Sequence, residues 1–380
     1  MLREMAEPVI HHRTDQFKAI LAEVSERLKR VFRTRHPVLT VTGSGTTAFE
    51  AAQISLATPG DRVITCASGK FGERWQDVYA RYGVEQVGIE VPWGNAVTAD
   101  RIEQALKDCP DARVVVVVHS ETSTATACEL EAIAAVVSRS DALLIVDGIT
   151  SVGALPVEMD AWGVDVVVSG SQKALMLPPG LGYVGLGPRA VRRLQATDGG
   201  HSYSLDLRRW LASYEKNDVP FTPPVSLIRG QRVALDMIER EGLERVWSRT
   251  ARLAAATRAA VAALELKVIS HAPSDSLTGV FYPEVDGHVI DDNAFRGALR
   301  DRHGIHIAGG QNGRLGSFSG RIFRISHMGH VNEDDTLAAL AAIEKELAEL
   351  GYGVAPRSAV EAAEQSLADA SAGAGRDTPQ

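Results

Sequence analysis

The sequence predicts an α/β protein with a large domain built on a mainly parallel sheet and a smaller α+β domain after it. Two observations lead to this prediction. Short apolar segments of strand length alternate with helical segments through residues 38–173 of the 380, an order that favours parallel strands covered by helices. The pattern then changes to a long helical stretch rich in alanine and arginine, followed by a few widely spaced strands and helices.

The large domain begins with a helix over residues 15–32, where apolar side chains recur at intervals of three and four. Turns rich in glycine and polar residues separate the strands that follow from the helices behind them. One of these helices runs through residue 54, and another begins at residue 73. The predicted strands cover residues 38–41, 62–66, 86–91, 114–118, 143–146 and 164–168.

The small domain follows a helical stretch over residues 226–264. Its predicted strands cover residues 279–282, 305–307 and 322–325, and its predicted helices cover 291–303 and 333–350. The chain after residue 351 is rich in Ala, Ser and Gly, a composition typical of disorder. We therefore expect an N-terminal segment (1–14), a large domain (15–255), a small domain (256–350) and a disordered tail with at most one short helix (351–380).

Composition excludes several classes of protein. The net charge is −8 and no stripe of basic and aromatic residues occurs, which argues against a nucleic-acid partner. The apolar runs are too short to span a bilayer and the N-terminus lacks the apolar core of a signal peptide, so no membrane partner is expected. Cys66, Cys109 and Cys128 form no CxxC pair. We interpret them as reduced thiols of a cytoplasmic protein.

Polar residues follow three consecutive predicted strands. His119, Ser120, Glu121, Thr122 and Ser123 come after the strand 114–118, Asp147 ends the next, and Ser-Gly-Ser-Gln-Lys173 follows the third. Ligands of open α/β sheets bind beyond the carboxyl ends of the strands. Asp147 and Lys173 are 26 positions apart, a spacing that fits neighbouring strand ends. Pyridoxal phosphate (PLP) needs an acid beside its ring nitrogen and a lysine that binds its aldehyde.

Each of these residues also has a simpler interpretation when it is taken alone. Asp147 could cap the next turn, and an isolated lysine such as Lys173 is more often solvated than catalytic. Gly43-Ser-Gly-Thr-Thr47 could hold a phosphate at a helix N-terminus or could be a tight turn capped by Thr46 or Thr47. It matches neither the dinucleotide-binding nor the P-loop motif. The combination of the three features in register favours PLP.

Phe71 and Arg324 are further candidates with open alternatives. Phe71 could stack on a planar ring or pack in the core. Arg324 alternates with apolar residues, so it faces either solvent or a substrate carboxylate that its guanidinium would bind. The histidine pairs 303/306 and 327/330 lack an HExxH motif or acidic companions, so we expect no metal site.

These motifs resemble a known family. Ser-Gly-Ser-Gln-Lys-Ala-Leu with a later Pro-Pro-Gly, the upstream Val-Asp, His-Ser-Glu-Thr-Ser-Thr and the late Phe-Arg-Ile-Ser-His-Met-Gly are similar to class V aminotransferases of PLP fold type I. Within that family the chain resembles the serine/alanine–glyoxylate group over roughly residues 8–351. The resemblance implies a homodimer that transfers amino groups between a small amino acid and glyoxylate or pyruvate.

The resemblance also implies a role for each matching residue. Lys173 would bind the cofactor covalently and move the substrate proton, and Asp147 would pair with the ring nitrogen. Arg324 would bind the substrate carboxylate, and Thr222 would reach the phosphate of the other subunit. The remaining cofactor-binding residues would be Ser44, Gly45, Thr46 and Gln172 at the phosphate, Phe71 against the ring and Thr122 near its hydroxyl group.

Some positions depart from the family pattern. The chain lacks the family's usual opening Pro-Gly-Pro segment, Val219 stands where some members carry tyrosine, and Arg229 stands where an aromatic or apolar residue is common. Arg229 could face the active site and bind a second acidic group of the substrate, or it could face solvent.

Other activities within the same family remain open. Pyridoxamine–pyruvate or ureidoglycine–glyoxylate transamination, a lyase, and a non-enzymatic hydrogenase-associated subunit are the alternatives. A desulfurase would need a cysteine within residues 291–320, and none occurs there.

Overall fold

The computed structural model describes residues 1–197 and 202–374, with side chains described up to residue 370. The helices are α1 Leu2–Met5, α2 Asp15–Phe32, α3 Gly45–Leu56, α4 Lys70–Arg81, α5 Ala99–Asp108, α6 Leu130–Val137, α7 Met159–Trp162, α8 Pro188–Ala196, α9 Leu207–Tyr214, α10 Val225–Glu241, α11 Leu243–Ala263, α12 Asp292–His303, α13 Glu333–Glu349 and α14 Ser358–Ala374. The strands are β1 Val38–Thr42, β2 Arg62–Ala67, β3 Glu85–Glu90, β4 Val114–Val118, β5 Ser120–Glu121, β6 Thr126–Ala127, β7 Leu143–Asp147, β8 Val166–Gly170, β9 Leu181–Leu186, β10 Leu277–Phe281, β11 Glu284–Val285, β12 His288–Val289, β13 Ala308–Gly309 and β14 Ile322–Ser326.

A seven-stranded sheet in the order β1-β9-β8-β7-β4-β2-β3 forms the centre of the large domain. Only β9 runs antiparallel to its neighbours, and the other strands are parallel to one another. The strands β4, β7 and β8 are buried along their whole length, as expected for a sheet covered by helices on both faces. The predicted fold class is confirmed.

Because the central strands are parallel, their carboxyl ends lie at one edge of the sheet. The register places Val118 of β4 beside Asp147 of β7, and Asp147 beside Val168 of β8. The first turn of α3 lies at the same edge, where the N–H of Gly43 donates to the carbonyl oxygen of Gly180 (2.9 Å). The strand ends that carry Asp147 and lead to Lys173 therefore converge at the place that the strand order indicates.

The small domain has its own sheet, β10-β14-β13, and its own apolar core. Helix α11 contributes to both cores, with Leu243 in the large one and Leu253 in the small one. The predicted domain boundary at residue 255 thus falls inside a continuous helix and stays a prediction. Among the residues that the structure describes, no helix combines the length and the apolar character needed to cross a bilayer.

The tail is where the structure differs most from the expectation. Helix α14 occupies much of the segment that was expected to be disordered (351–380), and it packs on α11. Its buried residues Ala359, Ala363 and Leu367 recur every four positions, so they form one apolar stripe. The carboxylate of Glu344 accepts hydrogen bonds from the backbone N–H groups of Arg357 and Ala359 and so caps its first turn. Residues 375–380 lie outside the described part.

Three smaller differences concern strands and helix ends. The strand expected at 305–307 is absent there, and the short strand Ala308–Gly309 follows instead, paired with β14. Strand β9 was not predicted, because its glycines hide the strand pattern. The helical stretch 226–264 is two helices that separate at Gly242, where φ is +87°, a conformation that favours glycine.

Arg229 faces neither the active-site edge nor open solvent. Its Nε donates to Oε1 of Glu4 (3.0 Å) and its Nη1 donates to the carbonyl oxygen of Pro8 (3.1 Å). Arg232 donates to the same carboxylate oxygen (3.0 Å). Arg229 and Arg232 of α10 therefore hold the N-terminal segment against the large domain.

Candidate active site

Two adjoining cavities lie where the carboxyl edge of the large sheet meets the small domain. We call the first the cofactor half of the cleft; Ser44, Gly45, Thr46, Phe71, Arg74, Val118, Ser120, Thr122, Asp147, Ile149, Thr150, Gln172 and Lys173 line it. We call the second the substrate half; Phe71, Thr122, Gln172, Lys173, Leu277, His306, Ile307, Ala308, Gln311, Arg324, Ser326 and Met328 line it. Phe71, Thr122, Gln172 and Lys173 belong to both and mark the junction.

One end of the cofactor half is the N-terminus of α3. Ser44 is the N-cap, and its hydroxyl accepts the N–H of Thr47 (3.3 Å) while the Thr47 hydroxyl accepts the N–H of Ser44 (3.1 Å). The alternative in which Thr46 or Thr47 caps the helix is therefore wrong, since the cap lies two or three positions earlier. Thr46 is left to line the cavity beside the first N–H groups of the helix, a position that suits an anion.

The opposite side of the cofactor half carries the buried carboxylate of Asp147. Its Oδ2 accepts the indole N–H of Trp75 (3.3 Å) and its Oδ1 accepts the N–H of Ile149 (2.9 Å). Burial raises the pKa of Asp147 to about 7. The hydrogen bond from the N–H of Ile149 lowers this pKa, and the charge of Glu121 raises it. A cation beside the carboxylate would stabilise its ionised form.

Lys173 stands at the junction of the two halves, close to the end of β8. Burial lowers the pKa of its ammonium group, and the charge of Arg324 lowers it further, while the carboxylate of Asp147 opposes both effects. A larger fraction of such a lysine is neutral near pH 7, so it can act as a nucleophile or as a base.

Phe71 lies in the first turn of α4 and is half-buried; it lines the cavity and also packs against the large-domain core. The carboxylate of Glu121 fixes this turn by accepting the N–H groups of Phe71 (2.9 Å) and Gly72 (3.0 Å). A Cβ on Gly69 would lie 2.5 Å from Cγ of Glu121, so the turn requires glycine there. Glu121 was not singled out from the sequence; its place directly after an apolar strand was the available signal.

Arg74 is a second residue that the sequence did not single out. Its guanidinium lies over the ring of Phe71, 4.8 Å from the centroid, and its Nη1 donates to the hydroxyl of Thr46 (3.3 Å). The three-residue spacing of Phe71 and Arg74 on α4, which places them on one helix face, was the available signal. Arg74 thus adds a positive charge to the cofactor half.

Arg324 lies on β14 with only 8% of its surface exposed, which contradicts the alternative that it faces solvent. Its Nη1 donates to the carbonyl oxygen of Thr122 (2.6 Å) and its Nε to that of Gly309 (3.0 Å). These two bonds fix the plane of the guanidinium. Among the described residues Nη2 has no hydrogen-bond partner, and the group lines the substrate half.

Thr222 does not join the other site residues within one chain. It is exposed and lines a separate groove together with His11, His12, Pro223 and Leu227. The position of Thr222 in a single chain does not test its expected role at the phosphate of a second subunit, and that role stays a prediction.

The residues of the cofactor half fit PLP. A Cβ on Gly45 would lie 2.8 Å from Cδ1 of Ile149, which lines the same cavity, so the first turn of α3 fits against this wall because residue 45 is glycine. The helix N-terminus and the Arg74 charge suit a phosphate. Asp147 suits a ring nitrogen that carries a proton, and Lys173 suits an aldehyde.

Comparison with known proteins agrees with this fit. The family model for class V aminotransferases matches residues 3–337. The small subunit of a soluble hydrogenase from Synechococcus sp. is 39% identical, with 97% of this chain and 95% of that protein covered. An L-aspartate–glyoxylate aminotransferase from Paracoccus denitrificans is 35% identical, with 94% and 90% covered. A serine–glyoxylate aminotransferase from Methylorubrum extorquens is also 35% identical, with 97% and 92% covered.

Among solved structures, pyridoxamine–pyruvate aminotransferase from Mesorhizobium loti superposes with a TM-score of 0.90 at 31% identity, covering 97% of this chain and 93% of that one. Both kinds of comparison extend over nearly the whole chain, so they apply to both domains and to the cleft between them. The chain therefore belongs to the class V aminotransferase family and is a PLP-dependent aminotransferase.

Proposed function

We propose that this aminotransferase moves an amino group between a small amino acid of the serine or alanine type and a small 2-oxo acid, glyoxylate or pyruvate. The observation that carries the proposal is the buried guanidinium of Arg324, fixed by two carbonyl oxygens and directed at the cavity that Lys173 also lines. A planar fork held in this way suits a carboxylate that binds through both of its oxygens.

We propose the following roles for the chain's own residues. When bound, PLP supplies an aldehyde that reacts with amines and a ring that draws electrons from the substrate Cα. Lys173 would hold the cofactor through its amine, and its Nζ, once free, would take the proton from the substrate Cα. The lowered pKa of Lys173 favours the neutral amine that this step needs. Asp147 keeps a proton on the ring nitrogen by offering a buried carboxylate beside it.

The charges of the substrate half support an uncharged substrate side chain. Its cationic side chains within one chain are Lys173 and Arg324, and both have tasks in the proposal. The remaining group that can become positive among its lining residues is His306, which is exposed. Arg229, the candidate partner for a second acidic group, is bound to Glu4 and Pro8. A dicarboxylic donor would therefore meet a single exposed imidazole, whereas serine or alanine needs no further cation.

Kinetics with a panel of amino donors against glyoxylate and pyruvate test the proposal. We expect serine and alanine to give kcat/KM at least tenfold above aspartate, which is about 1.4 kcal/mol of transition-state binding. Arg324→Lys should raise KM for every amino donor alike, because lysine cannot form the two-point contact. Preferred turnover of aspartate, or an Arg324→Lys variant that spares one class of donor, would contradict it.

We further propose a homodimer in which Thr222 of each subunit completes the phosphate site of the other. Thr222 is exposed and lines a groove separate from the cofactor half of its own chain, which supports this. Sedimentation at assay concentration should give a dimer. A monomer with full activity would contradict the proposal.

We also propose a reducing, cytoplasmic location. It is supported by three cysteines that are free and buried, Cys66, Cys109 and Cys128.

A further inference from the structure

A hairpin of the small domain, residues 311–318, crosses to the large domain beside the cleft. The N–H of Phe318 donates to the carbonyl oxygen of Gln311 (2.9 Å), and Asn312 pairs with Ser317 in an antiparallel bridge. The N–H of Gly313 donates to the carbonyl oxygen of Gly316 (2.9 Å) and closes the turn. We call this segment the cleft hairpin. Its two turn residues are Arg314 and Leu315.

A single carboxylate of the large domain binds the turn of this hairpin. Oε2 of Glu73 accepts the backbone N–H of Arg314, and Oε1 accepts that of Leu315 (3.1 Å) and the indole N–H of Trp93 (3.1 Å). Glu73 is only 3% exposed, and hydrogen bonds to a buried carboxylate are among the stronger ones in proteins. Both oxygens of the carboxylate are therefore used to join the two domains.

The glycines of the hairpin indicate how closely it is held. A Cβ on Gly313 would lie 2.6 Å from Oε2 of Glu73 and closer still to the ring of Trp93. A Cβ on Gly316 would lie 2.8 Å from Cγ of Trp93. Neither glycine has a positive φ, so the requirement comes from the contact and not from the backbone conformation. The hairpin turn thus fits against Glu73 and Trp93 without space for one additional carbon.

The base of the cleft hairpin forms part of the substrate half. Gln311 lines that cavity beside Arg324, and its side-chain Oε1 is buried without a hydrogen-bond partner among the described residues. Two residues before it, the carbonyl oxygen of Gly309 accepts Nε of Arg324 (3.0 Å). Displacement of the hairpin would therefore move both the wall of the cavity and one of the two acceptors that orient the guanidinium.

We propose that Glu73 is a positioning residue for amino-acid binding: it holds the cleft hairpin, and through it Gln311 and Arg324, in the arrangement that receives the substrate. The inference rests on the proposed role of Arg324 in carboxylate binding. Glu73 lines neither half of the cleft. Its effect is therefore on substrate affinity rather than on the chemistry at Lys173, and it acts across the boundary between the domains.

Glu73→Gln tests the proposal in the PLP-loaded enzyme, because it keeps the side-chain volume and removes one acceptor oxygen. We expect KM for amino donors to rise roughly ten- to a hundredfold, the usual consequence of a small misplacement of a binding group. Both kcat and PLP affinity should stay within about threefold of the wild type. Hydrogen exchange of the amides in residues 311–318 should become faster. Glu73→Asp, which keeps both oxygens, should restore part of the affinity.

Gly313→Ala is an independent variant that displaces the hairpin while Glu73 is intact. It should reproduce the rise in KM and the faster hydrogen exchange. If Glu73→Gln does not fold, this variant still tests whether the position of the hairpin controls substrate affinity. The matched control is Gly297→Ala in α12, where a Cβ meets no atom within 4 Å, and it should match the wild type.

Faster exchange with an unchanged KM, or unchanged exchange in both variants, would overturn the proposal. A loss of kcat and of PLP affinity in parallel with the rise in KM would do so too, since it would reveal general damage. If Arg324→Lys leaves KM unchanged, the carboxylate site of the proposed function fails instead. The exchange data then still decide whether Glu73 holds the hairpin.

Discussion

The two halves of the cleft are held in place by different means. In the cofactor half, Asp147 and Lys173 sit at or just beyond the ends of parallel strands that are buried along their length. In the substrate half, Arg324 comes from a three-stranded sheet of another domain, and Gln311 comes from a hairpin bound through Glu73. The first half depends on the core of one domain, and the second depends on a few hydrogen bonds between two domains.

This difference separates the requirements of the cofactor from those of the substrate. A cofactor that stays bound through many turnovers gains from a rigid site, because little ordering is needed when it binds. Each substrate must enter and leave, so the part that binds it can be attached by contacts that open at lower cost than a core. Variants in the two halves should therefore differ in what they change, with chemistry and cofactor affected in one and substrate affinity in the other.

The largest effect is expected at Lys173. Lys173→Ala should abolish turnover, since no second amine lines the cofactor half within the described chain. Reduction of the wild-type enzyme with borohydride should attach PLP to a peptide that contains Lys173. Lys70 lines neither half of the cleft, so the Lys70→Ala variant should keep the wild-type activity and serves as the control. PLP attached to another lysine would contradict the assignment.

Asp147 should give the next largest effect. Asp147→Asn should lower kcat by about 10²- to 10³-fold, the scale seen when one preorganised electrostatic partner is removed from an active site. KM for the amino donor should change little, because Asp147 lines the cofactor half alone. Single-turnover measurement of Cα deprotonation checks the step directly. A near-normal rate would mean that the charge of the ring is balanced by another group.

The pKa of Asp147 gives a further prediction for the PLP-free protein. Its folded value of about 7 exceeds the ordinary value of 3.8, so between these values the folded state binds more protons than the unfolded state. The free energy of unfolding should therefore fall as the pH rises from about 4 to about 7, by at most about 4 kcal/mol from this group. Denaturant titrations of wild type and Asp147→Asn should show the difference in slope. Parallel pH profiles would contradict the raised pKa.

The smallest effect is expected at Arg229, outside both halves. Arg229→Leu should leave the substrate profile unchanged, because the guanidinium binds Glu4 and Pro8 rather than the cleft. Stability should fall by about 1 kcal/mol or less, since Arg232 still binds the same carboxylate. Kinetics with serine and aspartate, together with thermal unfolding, measure both outcomes. A selective loss of acidic substrates would place Arg229 in the active site of the assembled enzyme.

The cofactor half could be predicted from the sequence to a large extent, whereas Arg324 was the one predicted site residue among those that line the substrate half alone. Asp147 and Lys173 come at the ends of apolar strands, and parallel strands bring such ends together without further information. The contacts of Glu73 with Arg314 and Leu315 join positions about 240 residues apart, and no local pattern encodes that proximity. Trp75, which donates to Asp147, was hidden for the same reason.

Helix α14 was predictable in principle but was outweighed by composition. The abundance of Ala, Ser and Gly suggested disorder, whereas the four-residue spacing of Ala359, Ala363 and Leu367 indicates an amphipathic helix. Periodicity was therefore the better guide than composition in this segment. This periodicity is hard to recognise in the sequence alone, because alanine contributes little to an apolar pattern until a partner helix is known.

The packing of α14 on α11 has a consequence for shortened forms of the protein. Ala256 and Ala260 of α11 share the small-domain core with Ala359 and Ala363, and small side chains allow two helix backbones to approach closely. A chain that ends near residue 350 would leave this face of α11 in water, with an apolar surface that invites self-association. Helix α14 thus covers the small-domain core. Its removal should reduce the solubility of the protein even though every active-site residue is retained.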